Sequence, residues 1–187
     1  MRKPTGRSDV PTAAHAILGL LEMDEGSSHG YDLARHFGDS QPLAQVIHLE
    51  PAMLYHHLKR LARAGWATAT VEPQGTRPAR QVYQITTTGR AELRRWLSEP
   101  VAHTREIRLE FLVKLYLAER LDPDLAARLL ADQFDTCRRL EASLVSQLAA
   151  LTPADADSSD RVFVRRVLEL RLAQTRAAVR WLARVGV

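Results

Sequence analysis

The chain has 187 residues, 45% of them apolar and 26% charged, which is enough aliphatic content for one core or two small ones and too much for a disordered chain. Its longest apolar run, Ala16-Ile17-Leu18-Gly19-Leu20-Leu21, is far short of the roughly 20 residues that a bilayer span needs. The charged start Met1-Arg2-Lys3 lacks a secretory apolar stretch, and Cys137, alone, builds neither an internal disulfide nor a cysteine-based zinc site. A cytoplasmic protein is expected.

The net charge is +4 and the pI about 9.6, a small excess that is unevenly spread. Between Pro51 and Arg95, Lys59, Arg60, Arg63, Arg77, Arg80, Arg90, Arg94 and Arg95 stand against Glu72 and Glu92 alone. A basic segment inside a near-neutral chain points to a polyanion, although a solvated helix face has the same composition.

In chain order, Ala16, Ile17, Leu20 and Leu21 recur at helical spacing within 12–23, with Thr12 placed to cap. After the polar turn Gly26-Ser27-Ser28, a short second helix carries Tyr31, Leu33, Ala34 and Phe37 and is expected to close on a left-handed Gly38. Pro51 suits the first turn of a third helix, in which Leu54, Leu58 and Leu61 form one stripe. At about 100° per residue the opposite face carries Ala52, His56, Lys59 and Arg63, flanked by Tyr55 and Arg60. Strands are predicted over 66–72 and 81–86, joined by a basic turn, 73–80, that holds Arg77 and Arg80.

Three short helices followed by a hairpin is the order of a winged helix-turn-helix, and a helix apolar inward and cationic outward is narrow enough for a DNA major groove. The expected architecture is mainly α. A tail, 1–11, precedes a winged DNA-binding domain of three helices and a two-stranded wing, 12–100, which is followed by an all-helical dimerisation domain, 104–187. A winged scaffold that binds a protein partner without DNA is the alternative.

Behind Pro100, Ile107, Phe111, Leu112, Leu115 and Leu117 give a broad apolar face, and a long helix is predicted to start near Asp122-Pro123-Asp124. Leu130, Cys137, Leu144 and Leu151 fall seven apart, with Ala126, Gln133, Leu140 and Gln147 at the complementary position, as in a coiled-coil seam. The segment 152–159 breaks the pattern, and a last helix, 160–185, carries Phe163, Val167, Leu170, Ala177, Trp181 and Val185. The expected dimer interface is Leu130, Cys137, Leu140, Leu144, Leu151, Val167, Leu170 and Trp181. Packing of these helices within one chain is the competing use of the same residues.

No catalytic constellation emerges. The seven histidines show no HExxH or Cys/His metal spacing, His56 and His57 point to different faces of a helix, and Ser27-Ser28-His29 has no nucleophile elbow around it. Cys137 sits on an apolar heptad position without a resolving cysteine, as a buried inert thiol does. No enzyme activity, cofactor or metal is expected.

His29-Gly30-Tyr31-Asp32-Leu33, then 51–61 with Ala64-Gly65-Trp66, then Arg77 to Thr86 followed by Gly89-Arg90, resemble in order and spacing the PadR family of bacterial transcriptional regulators. Phe111-Leu112-Val113-Lys114-Leu115 resembles the start of that family's longer, multi-helix C-terminal domain. The resemblance implies sequence-specific binding of double-stranded operator DNA by a homodimer, as a repressor released by a small apolar or aromatic effector such as a phenolic acid or drug. It also implies that the Tyr55 hydroxyl donates to a phosphate, where packing between helix and wing is the other role for this ring. The DNA-binding residues expected here are Ala52, Met53, Tyr55, His56, Lys59, Arg60, Arg63, Arg77 and Arg80. Trp96, Phe111, Tyr116, Phe163 and Trp181 are candidates for an aromatic effector pocket, or for core filling. Glu50 before Pro51, and Ala52-Met53 after it, depart from the small polar residue and Gly-Thr usual in the family, so operator contacts at that helix end do not carry over.

Overall fold

In the computed structural model, residues 11–74, 77–151 and 159–186 are described, without the side chains of 74 and 77–79. Helix α1 (Thr12–Met23) is buried at every residue from Ala13 to Leu21. A helix apolar on all sides needs cover on all sides. Helices α3 (Pro51–Arg63), α4 (Thr87–Ser98) and α6 (Leu112–Leu121) provide most of it, through Leu54, Leu58, Leu93, Leu97, Val113 and Leu117 of one continuous core. That core crosses the change of character at 100–104, because Val113 and Leu117 belong to it.

Between α1 and α4 lies the winged unit. Strand β1 (Ser27–His29) leads into α2 (Gly30–Arg35), a 3-10 turn spans Pro42–Gln45, and α3 is followed by β2 (Ala67–Gln74) and β3 (Arg77–Ile85). The sheet is antiparallel in the order β1-β3-β2, with His29 opposite Val82, Ala67 opposite Ile85 and Glu72 opposite Arg80. Three corrections to the expected elements follow. Ser27-Ser28 is a strand, too short to show an alternating pattern and made regular by its ladder with β3. The strands run through the expected turn, since Pro73 sits where the register shifts between Glu72 and Gln74 and its missing N–H costs the ladder least. Helix α2 ends at Arg35, and left-handed backbone occurs at Glu25, Gly26 and Gly65, not at Gly38.

Helix α4 was not evident in the sequence, and a local knot starts it. Thr86 accepts the Gly89 N–H at 3.0 Å and donates to the Gly65 carbonyl at 2.7 Å, while its own N–H reaches the Trp66 carbonyl at 3.0 Å. A Cβ on Gly89 would collide with that same Trp66 carbonyl. On the inner side Trp96 stacks on His15 of α1 at 4.6 Å between ring centroids, and His15 Nε2 lies 3.0 Å from Glu92 Oε1.

The back half is helical, as expected. The turn α5 (Thr104–Glu106) and a π-helical turn, Ile107–Phe111, lead into α6, and α7 (Pro123–Ala149) starts where Asp122 accepts the N–H groups of Asp124 and Leu125. Helix α8 (Ser159–Val185) returns antiparallel to α7, joined by Arg176–Glu141 at 3.0 Å. Most of the segment expected to separate them, 152–158, lies outside the described residues, as does most of the tail, 1–10. The coiled-coil seam is corrected here. Cys137 packs with Ala178 and Leu182, and Leu144 with Leu168 and Leu172, so the heptad stripe of α7 is covered by α8 of the same chain. Among the described residues no helix is long and apolar enough to cross a membrane.

Two outcomes are expected. Gly89→Ala forces backbone apart at the α4 knot and should lower stability by about 1–3 kcal/mol in denaturant unfolding; an unchanged midpoint would show that the knot yields freely. Burial holds the His15 imidazole below its ordinary pKa of 6.5, against the opposing pull of Glu92. The unfolded chain therefore takes up the proton first. The stability contributed by neutral His15 is complete above pH about 6.5 and declines as the solution is acidified below it. His15→Gln, which still donates to Glu92, should show a shallower loss of stability between pH about 7 and 5, by up to roughly 1.4 kcal/mol per pH unit; parallel pH profiles would refute this.

Candidate nucleic-acid interface

Helix α3 presents two unlike faces. Leu54, His57, Leu58 and Leu61 are buried against the core, while Ala52, Met53, Tyr55, His56, Lys59 and Arg63 are exposed and Arg60 is half-buried. The adjacent histidines divide as their 100° offset requires. Burial, with the His56 and Arg60 side chains close by, holds His57 below its ordinary pKa. Pro51 occupies the first helical position and Glu50 the cap, with no capping hydrogen bond from its side chain.

The pairing of β1 with β3 brings the start of α2 beside the wing. The result is a cleft of about 610 Å³ lined by His29, Gly30, Tyr31, Asp32, Tyr55, Arg80 and Gln81. Gly30 lets the Tyr55 ring approach closely, since a Cβ there would stand 2.6 Å from Cε1 of Tyr55 and the ring would have to shift. The Tyr55 ring therefore rests on the backbone at the head of α2, which gives it a packing role while it stays partly exposed. Beside it, Tyr83 donates to Gln81 Oε1 at 2.7 Å, and burial, with Tyr55 nearby, raises its hydroxyl above the usual pKa. Arg80 is exposed on β3 at the same cleft, and Arg77 begins that strand with its side chain outside the described set.

Five residues of this cleft carry no DNA-binding assignment from the sequence: His29, Gly30, Tyr31 (72% exposed), Asp32 and Gln81. His29-Gly30-Tyr31 stood out as a motif, but only the β1–β3 pairing places it at the wing.

Of the five candidate pocket aromatics, Phe111 and Trp181 meet, and the other three lie apart. Trp96 is core, stacked on His15; Phe111 is core and meets Trp181 edge-on at 6.1 Å; Tyr116 lies under Arg120 at 3.6 Å; and Phe163 stands exposed near the start of α8. Trp181 lines an open groove of about 400 Å³ with Thr104, Arg105, Ile107, Arg108, Gln174, Ala177 and Ala178. Cys137 is buried, with its thiol pushed up by that burial, which makes it a poor nucleophile.

The chain is similar in sequence to known transcriptional regulators. Residues 17–95 match a family described as Transcriptional regulator PadR-like family, and residues 107–185 match one described as Virulence activator alpha C-term. The chain is 31% identical over 152 residues to Negative transcriptional regulator PadR of Bacillus subtilis, covering 78% of this chain and 80% of that one. Among solved structures it is similar to Bacillus subtilis PadR in complex with operator DNA, at 27% identity over 94% of this chain and 98% of that one, with a TM-score of 0.46. It is also similar to Bacillus subtilis PadR in complex with p-coumaric acid, at 26% identity over 94% and 97%, with a TM-score of 0.42.

Proposed function

Because the chain belongs to the PadR-like family, whose members are transcriptional regulators and not enzymes, we propose that it is a cytoplasmic repressor that binds operator DNA as a homodimer. The observation that carries this reading is the exposed face of α3, on which Lys59 and Arg63 share one surface with Ala52, Met53 and His56 while the opposite face is sealed in the core. In the major groove those side chains, with Arg60 at the flank, reach base edges and the groove walls. Arg77 and Arg80 on the wing hold phosphates, and Tyr55, seated on Gly30, donates its hydroxyl to another. Residues 12–100 serve as the reading unit and 104–187 as the dimerising unit.

Dimerisation belongs to the outward stripe of α8 and not to the heptads of α7. Phe163, Val167 and Leu170 are 65%, 37% and 60% exposed, and they continue at helical spacing into Gln174, Ala177 and Trp181. An exposed, largely apolar stripe, broken by Gln174, suits an interaction surface, and a two-fold pair of recognition helices suits a palindromic operator. The groove at Trp181 adjoins the stripe. An aromatic effector there, with Arg105 and Arg108 at the rim, biases the dimer geometry and so lowers DNA affinity by linkage. The Bacillus subtilis relative is described as a negative regulator and has been solved with p-coumaric acid.

The decisive experiment is a footprint on the DNA upstream of the protein's own gene, repeated across salt. Two symmetric half-sites about one helical turn, or a small multiple, apart are expected; a lone asymmetric half-site at saturation would overturn the dimeric reading. Arg80→Ala should weaken all sequences alike and flatten the log-log salt slope by about one unit, whereas loss of preference at one base pair with an unchanged slope would make Arg80 a base reader. Leu170→Asp should convert dimer to monomer in sedimentation with an unaltered helical spectrum, because Leu170 is exposed within its own chain. A dimer that survives Leu170→Asp would move the interface elsewhere.

A further inference from the structure

The connection from α4 to α5, residues 99–103, is irregular backbone between the reading unit and the helical half. It lies under two buried polar side chains from different helices. Lys114 of α6, 2% exposed, donates from Nζ to the Glu99 carbonyl at 2.6 Å, pairs with Glu110 at 3.2 Å and lies 4.9 Å above the centre of the Trp96 ring. Gln133 of α7, 1% exposed, engages both backbone groups of Val101. Its Oε1 accepts the Val101 N–H at 2.7 Å and its Nε2 donates to the Val101 carbonyl at 3.1 Å, with Cys137 Sγ a further 3.5 Å contact.

Burying a lysine and a glutamine is unfavourable unless every polar atom is matched, and an aliphatic residue would fill either space without that cost. What an aliphatic residue lacks is direction. The contact of α6 with α1 is apolar, and apolar contact is non-directional, so surfaces held by it alone can slide. A primary amide that bonds both the N–H and the carbonyl of one residue fixes that residue in position and orientation, as a bridge between strands does. Lys114 holds the Glu99 carbonyl two residues earlier, and through Trp96 and His15 its seat continues to α1, on which α3 is packed.

We propose that Lys114 and Gln133 are positioning residues that hold the connection 99–101 rigid and thereby set the separation of the two recognition helices in the dimer. The half-site spacing that the protein accepts is then decided at this clamp, far from any DNA contact. The inference rests on the dimeric operator-binding reading above.

The test uses the full chain and its footprinted operator, with one or two base pairs inserted or removed between the half-sites. A loosened joint spends less time at the correct spacing, and apparent affinity falls by that fraction. Gln133→Leu is therefore expected to bind the native spacing about tenfold more weakly, while the altered spacings change little and the preference among them collapses. Lys114→Met should do the same and serves if Gln133→Leu fails to fold. Val101→Ala keeps both backbone groups and should retain the preference. A second readout needs no DNA: a spin label on Ala64→Cys, at the exposed end of α3, reports the distance between the two copies, and its distribution should broaden in the clamp variants and stay narrow in Val101→Ala.

Unchanged spacing preference and an unchanged distribution in folded, dimeric Gln133→Leu and Lys114→Met would overturn the proposal. So would equal loosening by Val101→Ala, which would reduce the clamp to ordinary packing. If the unaltered protein gives neither a footprint nor an intermolecular distance, the dimeric reading itself fails and the clamp's role falls with it; a footprint and a distance in the unaltered protein with no response in the variants sinks the clamp alone.

Discussion

The arrangement depends on one requirement, that α1 be covered all round. Nine successive residues, Ala13 to Leu21, are buried, and each fully buried leucine or isoleucine among them contributes roughly 1.5–3 kcal/mol. Coverage on that scale needs several elements at once, and it dictates which face each of them turns inward. The leucines of α3 must point to α1, so Lys59 and Arg63 must point away. The cationic face is a consequence of the core, held rigidly because the core cannot rotate α3 without exposing Leu54 and Leu58.

The same requirement ties the two halves of the chain. Val113 and Leu117 of α6 fill the side of α1 that the winged unit leaves open. The winged unit and the start of the helical half thus share one core.

Polar groups in this interior are few, and several of them are held by partners that act on position. Burial works to raise the Glu92 carboxyl, yet hydrogen bonds from Arg95 and His15 hold it below the usual carboxylate range. Glu92 thus stays charged beneath the stacked His15 and Trp96, joining α4 to α1. Lys114 and Gln133 extend this pattern to α6 and α7. These are interactions that specify one arrangement among the several that apolar packing alone would permit.

Periodicity in the sequence determined the elements that are long and one-sided. Helices α1, α3, α7 and α8 were legible from leucine spacing, from Pro51 and from Asp122-Pro123, and so were the exposed basic residues of α3, because the inward stripe leaves only one face for them. Short or mutually dependent elements were not. Strand β1 exists because β3 is beside it, α4 is started by a knot of Thr86, Gly65 and Trp66 from separate parts of the chain, and the cleft of His29, Tyr31 and Gln81 follows from that pairing. Heptad spacing in α7 identified an apolar seam but not its occupant, since a stripe of Cys137 and Leu144 suits any apolar helix laid against it. Only tertiary structure decided that α8 of the same chain takes that place, and leaves Phe163, Val167 and Leu170 uncovered, because burial is a property of neighbours and a pattern in one helix cannot name them.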